Sequence, residues 1–352
     1  MKRVVIAAGG TGGHFYPGLV AAQELKARGW EPLLIIKKDD PAKERLEAAG
    51  LSCLEVDLVG LPRTVGPGII PFAAKLLGSL RMMSRVTRDF GPDLALGMGG
   101  YLTFPVAFAA WRRGVPIALH ESNALLGLAN KAASRLGAAL FWGLPPVDGV
   151  GRVVGTPVRP EMFVSKDTSE ARRFLGLDSA RRTVLVFGGS QGAQALNLGL
   201  PAALKAAEVE AQVLHLAGKG KSAETLAAYK SAGVTATVLD YLDDMASAYA
   251  AADVVVCRSG ASTLAELAAQ RKAAILIPYP HAAANHQDAN ARVFEKAGTA
   301  RRIPEADIPA ALGPALADML KSSQTLQFDS LGLPPADKAT ARFVDELERL
   351  AP

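Results

Sequence analysis

Near the start of the chain, residues 4–13 read VVIAAGGTGG, an apolar run that leads directly into glycines. Residues 183–192, about half of the chain length further on, read TVLVFGGSQG and repeat that pattern. A strand, a glycine-rich turn and a helix open a doubly wound α/β domain, because glycines let the chain turn tightly. The repeat therefore predicts two Rossmann-like domains of similar construction.

Short apolar runs alternate with alanine-rich stretches along the chain, which favours parallel sheets covered on both faces. Strands are predicted at 3–8, 33–37, 53–57, 93–97, 116–120, 139–142, 152–155, 183–188, 212–217, 235–239, 253–257, 273–278 and 300–303. Two prolines interrupt residues 155–160, so the predicted domains are 1–158 and 159–336. Since ligands bind at the carboxyl ends of parallel strands, a central cleft between the two domains is the expected active site.

The chain of 352 residues carries 39 basic and 34 acidic side chains, a net charge of +5. Residues 63–113 contain seven bases and two acids, so this segment accounts for the whole net charge. Local positive charge suits an anionic partner, but 6% aromatic residues and the absence of a recognition motif disfavour nucleic acid. Cys53 and Cys257 have no metal-ligand spacing, and no apolar run approaches the ~18 residues of a membrane span. The sequence predicts a cytosolic protein whose membrane contact is at most peripheral.

The first glycine-rich segment, residues 9–14, suits either a tight structural turn or contact with a diphosphate. Phe15 stands where a dinucleotide fingerprint would have its third glycine, and no lysine follows as in a Walker loop. These departures disfavour a dehydrogenase. His14 is either a capping or packing residue or a general base, since an imidazole titrates near neutral pH.

A second candidate site follows the run at 254–257, where a loop of small residues leads into a helix. Free backbone N–H groups at such a helix start favour a diphosphate. Glu266 is either a ribose ligand or, with Thr263, half of a capping box. Ser190 is a helix cap, a phosphate ligand or both. The polar segment 285–290 suits sugar hydroxyls or is only solvated.

Within the basic segment, arginines fall on one stripe of a predicted helix and apolar residues on another. The basic stripe consists of Arg81, Arg85 and Arg88, and the apolar stripe consists of Phe72, Leu76, Leu80 and Met83. An amphipathic helix packed on its core is the preferred interpretation. Docking on an anionic bilayer is the alternative, with Lys75 and Trp111 extending the patch.

The chain resembles the MurG family of glycosyltransferases over essentially its whole length, on six motifs that occur in the same order. They are GGTGGH at 9–14 with Pro17, GMGGY at 97–101, HESN at 120–123, GGSQG at 188–192, RSGA at 258–261 and NHQ at 285–287. The resemblance implies a GT-B fold, with the acceptor lipid I on the first domain and the donor nucleotide on the second. It also implies that a last helix, 337–352, returns to the first domain.

The resemblance implies an inverting transfer of GlcNAc from UDP-GlcNAc to the C4 hydroxyl of the muramoyl sugar of lipid I, at the cytoplasmic face of the membrane. Residues implied to bind UDP-GlcNAc are Thr11, Gly12, Gly13, Asn123, Arg159, Ser190, Leu242, Ala261, Ser262, Thr263, Leu264, Ala265, Glu266 and Gln287. Glu266 is thereby assigned to the ribose, Leu242 to the uracil and Gln287 to a sugar hydroxyl. The chain departs from the family at His286, where some relatives carry Gln, and at Ser262, where Leu is common.

The implied reaction needs a base for the acceptor hydroxyl and stabilisation of the leaving UDP. His14 is the candidate base, and the helix start near Ser262 is the candidate stabilising group. No Asp-x-Asp metal motif occurs, and Asp243-Asp244 is better explained as a helix start, so no cofactor or obligatory metal is predicted. The alternatives are another GT-B enzyme, such as a UDP-GlcNAc 2-epimerase or a glycolipid transferase, and a non-catalytic UDP-sugar-binding scaffold.

Overall fold

The computed structural model describes residues 1–9, 12–58, 60, 69–147, 151–189, 191–321 and 327–351. The chain divides into two compact units. Unit 1 comprises Met1–Arg159 and Leu333–Pro352, and unit 2 comprises Pro160–Gly332. Each unit is therefore described separately.

Unit 1 contains one parallel sheet of seven strands. They are β1 (Arg3–Ala7), β2 (Glu31–Lys37), β3 (Ser52–Val56), β4 (Leu94–Gly97), β5 (Ile117–Glu121), β6 (Ala139–Trp142) and β7 (Arg152–Val153). Their order in the sheet is β3-β2-β1-β4-β5-β6-β7. The strand order reverses between β1 and β4, which is the point where doubly wound sheets bind ligands.

Helices cover both faces of this sheet. They are α1 (Gly12–Ala27), α2 (Ala42–Ala48), α3 (Ile69–Phe90), α4 (Thr103–Trp111), α5 (Leu128–Ser134) and α13 (Ala336–Leu350). The last of these, α13, packs against α1 and buries Phe343, Val344 and Leu347 in the same core as Val4 of β1. Arg28 after α1 ties the surface of α13 by hydrogen bonds to Asp345 and Glu348.

Unit 2 contains a parallel sheet of six strands, β8 (Thr183–Phe187), β9 (Gln212–Leu216), β10 (Ala236–Leu239), β11 (Val254–Cys257), β12 (Ala274–Leu276) and β13 (Ala300–Arg302). The order β10-β9-β8-β11-β12-β13 reverses between β8 and β11. Its helices are α6 (Thr168–Phe174), α7 (Gln194–Ala206), α8 (Ser222–Ala232), α9 (Met245–Ala251), α10 (Ala261–Ala269), α11 (His286–Lys296) and α12 (Gly313–Lys321).

All the predicted strands are present, and the predicted α/β class with two doubly wound sheets is confirmed. Of the two alternatives for Glu266, the capping box with Thr263 is wrong. The residue that caps α10 is Gly260, so Thr263 lies inside the first turn and Glu266 lies in the second. Within the described residues, none of the helices has the length and apolar character needed to span a membrane.

Candidate functional site

The candidate site of unit 1 lies where β1 and β4 end. Both strands run parallel and pair along Val4–Ala7, so their carboxyl ends meet at one edge of the sheet. The helix α1 follows β1 almost at once, starting at Gly12. Thr11, a predicted donor contact, lies outside the described residues, whereas Gly12 is exposed and Gly13 half-buried at the start of α1.

His14 is held by two glycines that follow β4. Gly99 and Gly100 have φ angles of +96° and +74°, which L side chains rarely adopt. A Cβ on Gly99 would lie 2.8 Å from His14 Cδ2, and one on Gly100 would lie 3.0 Å from Nδ1. The imidazole therefore packs flush against this backbone. Thr103 fixes the turn, accepting from the Gly99 amide at 3.1 Å and donating to the Gly99 carbonyl at 2.9 Å.

Tyr16, two residues after His14 in α1, contacts two arginines. The guanidinium carbon of Arg159 lies 5.1 Å from the centre of its ring, and that of Arg45 lies 5.5 Å away. Arg45 also donates a hydrogen bond to the Tyr16 hydroxyl. Arg159, a predicted UDP-GlcNAc ligand, is thus positioned by an aromatic ring that the sequence reasoning did not single out.

Next to this edge, β5 buries a histidine completely. His120 Nε2 lies 3.0 Å from the carbonyl oxygen of Gly155, so Nε2 carries the proton and Nδ1 accepts from Ser122 at 3.2 Å. Burial lowers the pKa of His120, and the nearby His14 acts in the same direction. His120 is therefore a neutral structural group whose ring also packs on Phe343 of α13.

The neighbouring carboxylate of Glu121 organises the loop that follows β5. One oxygen accepts from the backbone and the side-chain amide of Asn123 at 3.1 and 3.0 Å. The other accepts from Gly127 N and Asn130 Nδ2, both at 2.9 Å. Asn123, a predicted donor contact, is therefore oriented by a buried charge that is fully hydrogen-bonded.

In unit 2 the glycine-rich turn after β8 is defined by close backbone packing. A Cβ on Gly192 would lie 1.9 Å from the Ala217 carbonyl oxygen, so no other residue fits there. Lys221 also holds the turn, donating from Nζ to the Gln191 carbonyl at 2.7 Å. The following helix α7 starts only at Gln194. Ser190 itself lies outside the described residues.

The start of α10, at the carboxyl end of β11, has the features of an anion site. The cap residue Gly260 is extended and no side chain caps the helix start, where Ala261 and Ser262 lead the first turn. A Cβ on Gly260 would meet nothing within 4 Å, so the space around it is open. Ser262 Oγ is buried and has no hydrogen-bond partner among the described residues. The remaining predicted contacts here, Thr263, Leu264 and Ala265, belong to the same helix start.

Glu266 is positioned from α9. The hydroxyl of the buried Tyr249 donates to Glu266 Oε2 at 3.0 Å. Glu266 also contributes to the raised pKa of the Cys257 thiol, although burial of that thiol is the larger cause. Tyr249 is a positioning residue that no sequence motif indicated, because it lies in an alanine-rich helix 17 residues before Glu266.

Gln287, on the first turn of α11, is tied to the residue that precedes Gly260. Its side-chain oxygen accepts from Tyr279 N at 2.9 Å, and its backbone carbonyl accepts from Ser259 Oγ at 2.8 Å. Asn290 Nδ2 donates to the Ser259 carbonyl at 3.1 Å. The first turn of α11 and the start of α10 are thus held together.

Leu242 lies half-buried in the loop between β10 and α9. Just before it, the carboxylate of Asp240 accepts from Gly220 N and Ser222 N, and these hydrogen bonds lower the pKa of Asp240. Just after it, Asp244 caps α9, accepting from Ser247 N at 3.0 Å. The interpretation of Asp243-Asp244 as a helix start is confirmed.

The amphipathic helix α3 packs on the core of unit 1, which agrees with the preferred interpretation. Met83 is buried there, and Leu76 packs against the same core. Of its basic residues, Lys75 pairs with Asp57 at 2.8 Å and Arg88 with Asp89 at 2.7 Å. Arg81 and Arg85 have no ion pair with any described residue and line an open groove of about 660 Å³. Most of the other lining residues are apolar, among them Leu33, Leu54 and Val86, and Asp89 adds one acidic side chain. Phe72 is half-buried, and Trp111 is 50% exposed.

No group of three or more potential metal ligands is found among the residues that the structure describes. The prediction that transfer needs no bound metal stays a prediction, and so does the cleft between the two domains.

Comparison with known proteins accounts for both units. The glycosyltransferase family 28 N-terminal domain matches residues 4–141, and the family 28 C-terminal domain matches residues 183–344. The chain belongs to glycosyltransferase family 28. The first range covers β1 to β6 to within one residue, and the second covers all six strands of unit 2 and extends into α13.

Relatives within family 28 extend along the full chain. The UDP-N-acetylglucosamine--N-acetylmuramyl-(pentapeptide) pyrophosphoryl-undecaprenol N-acetylglucosamine transferase of Elusimicrobium minutum is 37% identical, over 99% of this chain and 100% of its own length. The protein of that name from Halorhodospira halophila is 40% identical, over 93% of this chain and 91% of its own length. The crystal structure of Acinetobacter baumannii MurG superposes with a TM-score of 0.79 at 29% identity, covering 99% of this chain and 100% of that one. The resemblance to the MurG family is confirmed.

The sequence motifs of this family 28 chain indicated the glycine-rich turns and the loop before α10, but they did not reveal the side chains that position the predicted ligand residues. Glu121, Tyr16 and Tyr249 each hold a predicted ligand residue. Only the HESN motif at 120–123 carried a signal for one of them, Glu121.

Proposed function

We propose that the protein transfers GlcNAc from UDP-GlcNAc to the C4 hydroxyl of the MurNAc-pentapeptide of lipid I, forming lipid II with inversion at the anomeric carbon. The observation that carries this proposal is identity of 37% over the full length of a transferase of that name. The two edges described above supply the groups that such a transfer requires.

His14 is the proposed base. Inverting transfer needs a group that removes the proton of the C4 hydroxyl as its oxygen attacks. The imidazole lies at the ligand-binding edge of unit 1, and Gly99 and Gly100 fix the position of its ring. It takes the proton as the new glycosidic bond forms and the bond to UDP breaks.

The start of α10 is proposed to bind the diphosphate and to stabilise it as it leaves. Uncapped amides at a helix start donate to anionic oxygens, and the helix dipole favours negative charge there. A rotation of Ser262 would let its unpartnered hydroxyl add one hydrogen bond. Glu266, held by Tyr249, accepts from the ribose hydroxyls.

No metal is assigned to this step, because amides and the helix dipole supply the positive potential that a divalent cation provides in other transferases. Transfer should persist in EDTA when the acceptor itself needs no cation. Loss of transfer in EDTA that Mg²⁺ restores would contradict this assignment.

The assay that tests the function uses UDP-GlcNAc with and without a lipid I analogue, and identifies the products by mass spectrometry. We expect UDP and the GlcNAc-extended analogue only when the analogue is present. Release of UDP-ManNAc without acceptor would indicate an epimerase, and binding of UDP-GlcNAc without turnover would indicate a scaffold. Either result would overturn the proposal.

We also propose that unit 1 docks on the cytoplasmic face of the membrane as a peripheral protein. Support comes from the two arginines of α3 that lack a counter-ion among the described residues, Arg81 and Arg85, and from the exposed apolar side chains of Ile70, Leu77 and Trp111. Reversal of both arginine charges to Glu should weaken binding to vesicles that contain anionic lipid. The charge-matched control reverses Arg301 and one further exposed basic residue of unit 2 to Glu. Equal vesicle binding by the α3 variant and this control would show that Arg81 and Arg85 do not form a docking patch.

A further inference from the structure

Four neighbouring strands of unit 2 end at the same level of the sheet. The last residues of β10, β9, β8 and β11 are register partners in that order, namely Leu239, Leu216, Phe187 and Cys257. The segments that follow these strands therefore lie side by side along the carboxyl edge, where parallel sheets bind their ligands. In sheet order they are Asp240, the loop 217–222, the glycine-rich turn 188–192 and the start of α10.

The loop after β9 packs directly on the glycine-rich turn after β8. A Cβ on Gly218 would lie 2.6 Å from the Gly192 nitrogen and 2.7 Å from the Gln191 carbonyl oxygen, so only a glycine allows this approach. Across the same contact, Lys221 Nζ donates to the Gln191 carbonyl oxygen at 2.7 Å. The ammonium group therefore bonds the loop to the turn at the point where their backbones are closest.

Asp240 holds the residues on both sides of Lys221. Its carboxylate accepts from Gly220 N at 2.9 Å and from Ser222 N at 3.0 Å. Its backbone carbonyl accepts from Gly218 N at 3.0 Å. A continuous chain of hydrogen bonds thus leads from the end of β10, through the loop that carries Lys221, to the glycine-rich turn.

One peptide group of the glycine-rich turn is fixed at both ends. The carbonyl of Gln191 faces the Lys221 ammonium, and the N–H of Gly192, in the same peptide group, donates to the Gly189 carbonyl oxygen at 2.9 Å. Turns of this kind bind phosphates through their backbone N–H groups. A turn whose shape is already fixed avoids the entropic cost of ordering when the anion binds.

We propose that Lys221 is a positioning residue of the donor site, which holds the glycine-rich turn in the shape that binds the diphosphate of UDP-GlcNAc. The inference rests on the proposed function and adds a residue that lies outside the six motifs of the MurG family. Lys221 acts through the backbone of the turn, and Asp240 in turn fixes the loop from which Lys221 reaches it.

The test compares affinity for UDP with affinity for uridine, which lacks the phosphates, by calorimetry. Lys221→Met keeps an unbranched side chain of similar size and removes its N–H donors, whereas Lys221→Arg restores donors. The control is Lys219→Met, because Lys219 is an exposed residue of the same loop and its substitution removes the same charge. Transfer from UDP-GlcNAc to a lipid I analogue is measured in parallel.

We expect Lys221→Met to weaken UDP binding about tenfold and to leave uridine binding within about twofold, because only the phosphates contact the turn. KM for UDP-GlcNAc should rise by about the same factor, with kcat changed by less than about twofold. Lys221→Arg should recover most of the UDP affinity, and Lys219→Met should stay close to the wild type. Equal weakening of UDP by the two Met variants, or equal weakening of UDP and uridine by Lys221→Met, would overturn the inference.

Asp240→Ala tests the anchor of the loop in a double-mutant cycle. If Asp240 acts through Lys221, the change Lys221→Met should cost little further UDP affinity once Asp240 has been removed, so the two effects should not add. Additive effects would contradict the link between Asp240 and the turn. Wild-type protein that binds UDP but transfers no GlcNAc would count against the proposed function alone, since the comparison of UDP with uridine would still decide the role of Lys221.

Discussion

The turns that follow the first strand of each sheet differ in what they offer to a ligand. After β1 the chain enters α1 at Gly12 and places an imidazole, that of His14, on the third residue of the helix. After β8 the chain makes a longer turn, and residues 188–193 contain no ionisable side chain before α7 starts. Both sheets use the same β3-β2-β1-β4 type of order. The same scaffold thus presents a titratable side chain in unit 1 and mainly backbone and amide groups in unit 2.

Removal of His14 should have the largest effect, because it takes away the titratable side chain that distinguishes the turn of unit 1 from that of unit 2. His14→Ala should lower kcat by about 10² or more, because a positioned general base contributes about that factor. The dissociation constant for UDP-GlcNAc, measured by calorimetry, should stay within about twofold. An unchanged kcat would show that His14 is not the general base.

Substitution of Gly99 tests the position of the His14 imidazole without deleting it. Gly99→Ala introduces a Cβ 2.8 Å from the imidazole at a φ of +96°. We expect a kcat about tenfold lower, since displacement of a catalytic group by a fraction of an ångström is costly. Gly29→Ala is the control, because Gly29 has a φ of +85° with nothing within 4 Å of its Cβ position. Both variants should lose about 1 kcal/mol of stability, but only Gly99→Ala should lose activity.

Unit 2 also has a buried histidine, His215. The effect of acid on the stability of unit 2 tests whether the two units unfold independently of each other as the pH falls. Burial lowers the pKa of His215 to about 3, while Tyr229 and Asn197 occupy its two ring nitrogens. Between pH about 6.5 and 3 the unfolded chain binds a proton there that the folded chain does not. The free energy of unfolding should therefore fall with falling pH, by about 1.4 kcal/mol per pH unit from this group alone.

His215→Gln should remove that share of the slope, measured by hydrogen exchange of residues 212–216 at several pH values. Tryptophan fluorescence serves as the internal control, because Trp30, Trp111 and Trp142 all lie in unit 1. An identical pH dependence of the unfolding free energy in wild type and variant would show that His215 has the same pKa in the folded and the unfolded chain.

The smallest effect is expected at Tyr249. Tyr249→Phe removes the hydroxyl that holds Glu266 at 3.0 Å and should raise KM for UDP-GlcNAc about threefold. With a donor that lacks the ribose 2′-hydroxyl, the difference between wild type and variant should shrink. A threefold effect that is the same for both donors would argue against a ribose role for Glu266.

The sequence was sufficient for the strands because parallel strands covered on both faces must be apolar along their whole length. It was not sufficient for the start of α10. The pair Thr263 and Glu266 has the spacing of a capping box, but the chain begins the helix earlier at Gly260, where an extended glycine needs no side-chain cap.

The contacts that position His14 and Glu266 also could not be predicted from the sequence. His14 rests on Gly99 and Gly100, and Glu266 receives its hydrogen bond from Tyr249. Each of these pairs is brought together by the strand order of its sheet, and no local spacing in the chain encodes it. The glycine motif at 97–101 could be recognised in the sequence, but its packing against the imidazole of His14 could not be predicted from it.

The return of α13 to unit 1 has a consequence for the order in which the protein is made. Unit 2 is one continuous stretch, so a ribosome has supplied all of its residues once position 332 has been translated. Unit 1 begins first, but its core lacks Phe343, Val344 and Leu347 until the last helix has been synthesised. The part of the chain that emerges first is therefore the part that finishes last, and until then the face of α1 that α13 will cover is open to chaperones.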